Sequence, residues 1–183
     1  MYELFVLGEL LDQPLHGYLL RDIVNLAFGP VRTMSWGSLY PLIRRLEANL
    51  LISQVTAHDE PAKARRKTYT ITAAGKDRFY FLMLRPEEYS SDYPDLFGVK
   101  LMNFDRISAE QRMNILHHYQ GYLHFVLERL AEGRRFVAQQ SKIPEAEQSL
   151  ILRTIDRRLY VQQADLTWLD EQIREFAAAT DTR

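Results

Sequence analysis

Apolar positions recur at helical spacing from the first residues of the chain. Leu4, Leu7, Leu10 and Leu11 share one face, and Pro14 ends the run. The pattern predicts a second short helix over residues 16–28, burying Tyr18 or Leu19, Ile23 and Leu26, with Gly29-Pro30 as its stop. The third stripe is the most legible. Leu39, Leu42, Ile43, Leu46 and Leu50 stand at i, i+3, i+4, i+7 and i+11. Pro41 limits where that helix begins. A cap at Ser35 puts Pro41 past the first turn, at about 3 kcal/mol or a kink. A cap at Ser38 leaves it among donors that are unpaired anyway, so Ser38 is the expected cap, after a looser turn over residues 35–37.

The period then changes to two. Residues 51–57 read as extended, and Thr68 to Thr72 alternate strictly, with Tyr69 and Ile71 on one face. The polar stretch between them ends in a basic cluster. Thr72 is placed to cap a fourth helix that runs through Phe79 to Leu84 and stops before Pro86. Residues 86–104, with two prolines, a glycine, Tyr89, Tyr93 and Phe97, read as a connecting segment. Two long helical stretches follow, interrupted by Pro144. Leu116, Tyr119, Leu123, Val126, Leu130, Gly133 and Val137 alternate by three and four. So do Leu152, Ile155, Leu159, Gln162, Leu166, Leu169, Ile173 and Phe176, a heptad seam about 37 Å long. Two such helices packed only on each other leave little core, so a partner for the seam is expected. Leu152, Ile155, Leu159, Leu166, Leu169 and Ile173 are its expected contacts.

The order of elements predicts a mainly α chain. Residues 1–85 form a winged helix-turn-helix of three helices, a β-hairpin wing and a linking helix. Residues 105–178 form an antiparallel pair of long helices with a seam left for a partner.

Composition narrows the function classes. The 183 residues are 46% hydrophobic and 26% charged, as in a folded globular chain. The longest apolar run, Phe79 to Leu84, is too short to cross a bilayer, so no membrane role is expected. No basic segment precedes an apolar stretch at the start, so no secretory signal is visible. Without cysteine there is no disulfide, thiolate ligand or cysteine nucleophile, and a reducing cytoplasm suits the chain. The net charge of −1 hides an asymmetry: residues 1–85 carry +3, and the span from Arg32 to Lys67 carries +4. Such a patch suits a polyanion.

The third helix shows where that charge would act. Opposite its apolar stripe lie Gly37, Pro41, Arg44 and Ala48, flanked by Ser38, Tyr40 and Arg45. Small residues at the centre of this face let the helix axis approach base edges. Arg44 is suited to a two-hydrogen-bond contact with guanine, and Ser38, Tyr40 and Arg45 to phosphates. Lys63, Arg65, Arg66 and Lys67 place four cations at the hairpin tip, a composition suited to the minor groove or the backbone.

These residues resemble the PadR family of transcriptional regulators. The resemblance is carried by Leu7-Gly8, by Leu15-His16-Gly17-Tyr18, by Gly37 to Glu47 with its Leu-Tyr-Pro core, and by Arg66 to Gly75. The later chain is similar to the longer PadR subgroup, with a virulence-activator-like C-terminus. The resemblance implies a homodimeric, cytoplasmic protein that binds double-stranded DNA, usually a repressor. It also implies that the C-terminal helical dimerisation domain, residues 105–178, forms the contact between copies. A twofold dimer of this kind is expected to bind an inverted-repeat operator. On it, Tyr40, Pro41 and Arg44 match the recognition helix, and Arg66 with Lys67 the wing. There are two departures. Leu50 replaces the glycine that usually ends this helix, which implies a left-handed cap at Asn49. Trp36 replaces a smaller residue or proline.

Enzyme chemistry has no residues to stand on. There is no Gly-rich phosphate loop, nucleophile elbow or His-Glu-x-x-His, so no cofactor is expected. His117 and His124 lie two turns apart, about 10 Å, too far to share a metal, and none is expected. Tyr93, Phe97, Tyr119, Tyr122 and Trp168 are candidates for a cavity that takes a small aromatic or hydrophobic effector, or else for ordinary packing. The competing function is a winged-helix module that binds protein through Trp36, Tyr40 and the long helices.

Overall fold

The computed structural model describes residues 1–29, 35–55 and 67–181. Its described residues are mainly helical and divide into two compact units, Met1–Asn103 and Phe104–Arg183.

In the first unit, α1 (Tyr2–Glu9) buries Leu4, Phe5, Val6 and Leu7. A two-residue strand follows, β1 (Leu15–His16), and leads directly into α2 (Gly17–Ala27). The expected burial of Tyr18 or Leu19 with Leu26 does not hold. All three are exposed, and α2 buries Gly17, Leu20 and Val24 instead. The reason lies in β1, which takes Leu15 into the core and fixes the phase of the helix behind it. Leu15 pairs with Tyr69 of β3 (Thr68–Ile71), and β3 pairs in turn with β2 (Ile52–Val55), giving an antiparallel sheet in the order β1-β3-β2. Tyr69 on the central strand is buried, as its alternation predicts.

Helix α3 (Trp36–Ala48) buries Leu39, Leu42, Ile43 and Leu46, but starts earlier than expected. Ser35, not Ser38, is the cap. Its extended backbone leads into the helix, and its Oγ accepts the Ser38 N–H at 3.2 Å. Pro41 therefore lies inside the helix, and the Gly37 carbonyl has no N–H above it. Aromatic packing of Trp36 holds the early turn in place.

The other end of α3 also departs from expectation. Asn49 stays right-handed at φ −85°, and Leu50 takes the left-handed conformation at φ 58°. The Leu51 N–H reaches the Leu46 carbonyl and the Leu50 N–H reaches that of Glu47, both at 2.9 Å, forming a Schellman motif. Leu50 is thereby turned to solvent, 73% exposed, out of the stripe it continues in sequence.

This exit is tied to α4 (Ala73–Leu84). Thr72 is the α4 cap, as expected, and its Oγ1 accepts the Gly75 N–H at 3.0 Å. The same hydroxyl donates to the Leu50 carbonyl at 2.7 Å, and the Thr72 N–H donates to the Leu51 carbonyl at 3.0 Å. A Cβ on Gly75 would overlap that Leu51 oxygen.

Residues 86–104, expected as a connecting segment, contain α5 (Tyr93–Leu101), and all but Phe104 fall in the first unit. Tyr93, Phe97 and Val99 bury the helix against that unit's core. Their i, i+4 and i+6 spacing is hidden in sequence by Pro94 within the first turn and Pro86 ahead of it. Lys100 is buried beside them, donating to the Arg85 carbonyl at 3.0 Å, with Glu87 at 3.7 Å.

The second unit is built on α6 (Ala109–Ala138) and α7 (Glu145–Asp181). Ser108 and Gln111 form a reciprocal capping box at the start of α6. The helices run antiparallel: Gln120 pairs with Asp170 at 2.7 Å, and Arg134 with Asp156 at 2.6 Å. The seam predicted as a contact with a partner is partly consumed within the chain. Leu166 and Leu169 are buried, while Leu152, Ile155, Leu159 and Ile173 are half-buried.

Two substitutions test the α3 exit. Gly75→Ala forces the Leu51 carbonyl to move and should destabilise the first unit by about 1–3 kcal/mol. Leu50→Gly removes a left-handed Cβ and should stabilise it by about 1 kcal/mol. Urea midpoints of the two variants against the parent chain measure both.

Candidate nucleic-acid interface

The exposed side of α3 is assembled by local rules alone. Burial of Leu39, Leu42, Ile43 and Leu46 turns Ser38, Pro41, Arg44 and Arg45 outward, and all four are exposed. Tyr40 is half-buried at the edge of this face. The Arg44 guanidinium lies over the Tyr40 ring, 5.4 Å from its centroid. Neither Arg44 nor Arg45 has a carboxylate partner among the described residues.

Lys67 is exposed where the wing returns to β3. Lys63, Arg65 and Arg66, the other three expected wing cations, lie outside the described residues.

The Leu-His-Gly-Tyr turn ahead of α2 divides its work residue by residue. Leu15 enters the core. His16 caps α2, its Nδ1 accepting the Leu19 N–H at 3.0 Å, which puts the ring proton of the neutral imidazole on Nε2. Gly17 makes room for the Trp36 ring, which a Cβ there would overlap. Tyr18 stacks on that ring with centroids 5.0 Å apart and planes 5° from parallel. Trp36 in turn leans on Tyr40 at 6.2 Å. Sequence reasoning missed Tyr18 and Arg21 as part of this surface. The usable signal was the i, i+3 spacing of Tyr18 and Arg21 at the start of an amphipathic helix, where the burial of Tyr18 or Leu19 was expected.

Charge is otherwise managed by burial. The Lys100 ammonium is pushed below its ordinary range by desolvation, partly offset by Glu87. Burial raises the phenols of Tyr69, Tyr93 and Tyr122, so all three stay protonated.

The five candidate effector residues are not gathered into one site by either unit. Tyr93 and Phe97 belong to the core of the first. A cavity of about 150 Å³ in that unit is lined by Met1, Glu3, Arg78, Arg85 and Glu87 among others, and by no aromatic ring. Tyr119 and Tyr122 are buried in the second unit, stacked at 5.6 Å, and the Tyr119 hydroxyl donates to Asp165 at 2.7 Å. Trp168 is 38% exposed on α7. Among the described residues, no group of histidine and carboxylate side chains could hold a metal ion, and no helix is long and apolar enough to cross a membrane.

Residues 6–80 match the model of the transcriptional regulator PadR-like family. No curated protein matches the chain. Among solved structures it is similar to Bacillus subtilis PadR in complex with operator DNA, at 17% identity over 94% of this chain and 96% of that one, with a TM-score of 0.44. The same protein in complex with p-coumaric acid aligns at 19% identity over 96% and 98%, with a TM-score of 0.42. The PadR-like regulator BC1756 from Bacillus cereus aligns at 21% identity over 98% and 99%, with a TM-score of 0.39.

Proposed function

Because residues 6–80 of this chain are a domain of the PadR-like transcriptional regulator family, we propose that the protein is a sequence-specific DNA-binding regulator. The observation that carries this reading is the outward face of α3, where Arg44 and Arg45 stand exposed beside Ser38, Tyr40 and Pro41. In the groove, Arg44 reads a guanine edge, while Ser38, Tyr40 and Arg45 hold phosphates. Lys67, with Lys63, Arg65 and Arg66, extends the contact along the backbone through the wing.

The functional species in this reading is a homodimer in the cytoplasm, acting as a repressor at an inverted repeat. Twofold symmetry then presents two α3 helices about 34 Å apart, or a multiple of that, on one side of the duplex. The half-buried Leu152, Ile155, Leu159 and Ile173 supply part of the contact between copies. Leu150, Val161 and Trp168, exposed at i, i+11 and i+18 on α7, supply the rest. Release by a small aromatic or hydrophobic effector belongs to the same reading and is supported by the match of residues 6–80 to the family model.

The test begins with a duplex enriched from a randomised library by the parent chain, titrated by fluorescence anisotropy at two salt concentrations. Arg44→Ala should cost about 1–3 kcal/mol on the enriched duplex and relax its sequence preference. Lys67→Ala should weaken all duplexes alike and lower the salt slope by about one. Weak, salt-independent retention with no enrichment would overturn DNA reading in favour of a protein-binding winged helix. For assembly, sedimentation should give the mass of two chains at micromolar concentration, and Val161→Glu should shift it to one. A single-chain mass for the parent would end the homodimer reading.

A further inference from the structure

Five side chains form an unbroken line across the two helices of the helix-turn-helix. The Arg21 guanidinium lies 5.7 Å from the centre of the Tyr18 ring, Tyr18 stacks on Trp36, Trp36 leans on Tyr40, and Arg44 closes the line over Tyr40. Arg21 is steadied by Asp22 at 2.6 Å. The line runs along the surface, since Tyr18 is 53% exposed and Arg44 is exposed. It therefore contributes little to the core, and its consequence is local.

That consequence follows from Pro41. A proline at this position removes the N–H that would bond the Gly37 carbonyl, so one of the hydrogen bonds that tie the first turn of α3 to the next is missing. Leu39 and Ile43 anchor α3 to the core from one side only. On the outward side, the first turn has the Ser35 cap and the Trp36 ring, seated over Gly17 and against Tyr18. Tyr40, whose ring receives Arg44, follows directly on that turn and immediately precedes Pro41.

We infer that Trp36 is a specificity-determining positioning residue: by stacking on Tyr18 it fixes the first turn of α3 and, through Tyr40, the aim of Arg44. The inference rests on the DNA-reading function proposed above. Trp36 acts without touching a base. Removing it leaves every cation in place but lets Arg44 sample directions that miss its base. Affinity for the correct sequence falls by the fraction of time the aim is lost, and phosphate binding is preserved.

The experiment compares the parent chain, Trp36→Ala, Trp36→Phe and Tyr18→Leu on the enriched duplex and on a shuffled one, across a salt series. Trp36→Ala should weaken the enriched duplex about tenfold, leave the shuffled duplex within about twofold, and keep the same salt slope. Trp36→Phe, which can still stack, should restore most of the loss. Tyr18→Leu removes only the exposed stacking partner and should reproduce the selective loss in part, which answers the case where Trp36→Ala fails to fold. Equal weakening of both duplexes by Tyr18→Leu or Trp36→Ala would overturn the inference, as would a Trp36→Phe loss as large as that of alanine. If the parent chain enriches no duplex, the DNA-reading function itself fails. If it enriches one that Trp36→Ala reads equally well, only the positioning role fails.

Discussion

The carbonyl groups of Leu50 and Leu51 and the hydroxyl of Thr72 form the constraint on which the first unit turns. Residue 50 reverses the chain in a left-handed conformation, and the carbonyls that follow point at the start of α4 rather than at solvent. Thr72 answers both, through its hydroxyl to Leu50 and its N–H to Leu51, and the same hydroxyl caps α4. The close approach this requires leaves no space for a side chain at residue 75. One knot therefore fixes the end of α3, the base of the wing between Ile52 and Ile71, and the first turn of α4. The Leu50 and Leu51 carbonyls and the Thr72 hydroxyl and N–H all have partners in the knot, and that is what permits such proximity.

The knot explains a sequence pattern that is otherwise a string of letters. Tyr69 is there to fill the core from the central strand, Thr72 to cap and cross-link, and Gly75 to allow the approach. Most of the first unit was legible for this reason: short periodic stripes and caps act locally, and the hairpin register follows from alternation. Three features were not. The phase of α2 depends on a two-residue strand whose partner lies more than fifty positions away, so Leu20 and Val24 enter the core where Tyr18 or Leu19 and Leu26 were expected. The start of α3 depends on Trp36 finding Gly17 and Tyr18, a tertiary contact strong enough to carry Pro41 inside the helix. The left-handed residue is Leu50 rather than Asn49 because helix length, not side-chain preference, sets where the Schellman bonds fall.

In the second unit the periodicity predicts two long helices, and the structure has them, with part of the seam spent within the chain. A heptad seam does not reveal whether it meets the next helix of its own chain or a helix of another copy. Here α6 covers Leu166 and Leu169, where Tyr119 and Gln120 also hold Asp165 and Asp170. Toward the hairpin loop the same seam is only half-covered at Leu152 and Ile155. Gln162 lies at the change from one regime to the other. Its side-chain oxygen is buried with no hydrogen-bond partner among the described residues. An orphaned acceptor of this kind costs about 1–3 kcal/mol, enough to weaken any register that repeats it and to favour one that meets it with a donor.

The outward face of α3 differs from both cores in what holds it. Arg44 rests on the Tyr40 ring and has no carboxylate partner among the described residues, whereas Arg21, one helix away, lies by the Tyr18 ring and is also paired with Asp22. A carboxylate partner would neutralise Arg44 and have to be displaced by any incoming phosphate or base. A ring face orients the guanidinium while leaving its charge and its donors largely free, because the attraction comes from the quadrupole and uses no N–H. Orientation without neutralisation is what an arginine needs in order to read a groove edge. The aromatic line across α2 and α3 supplies it where the proline has weakened the backbone ladder.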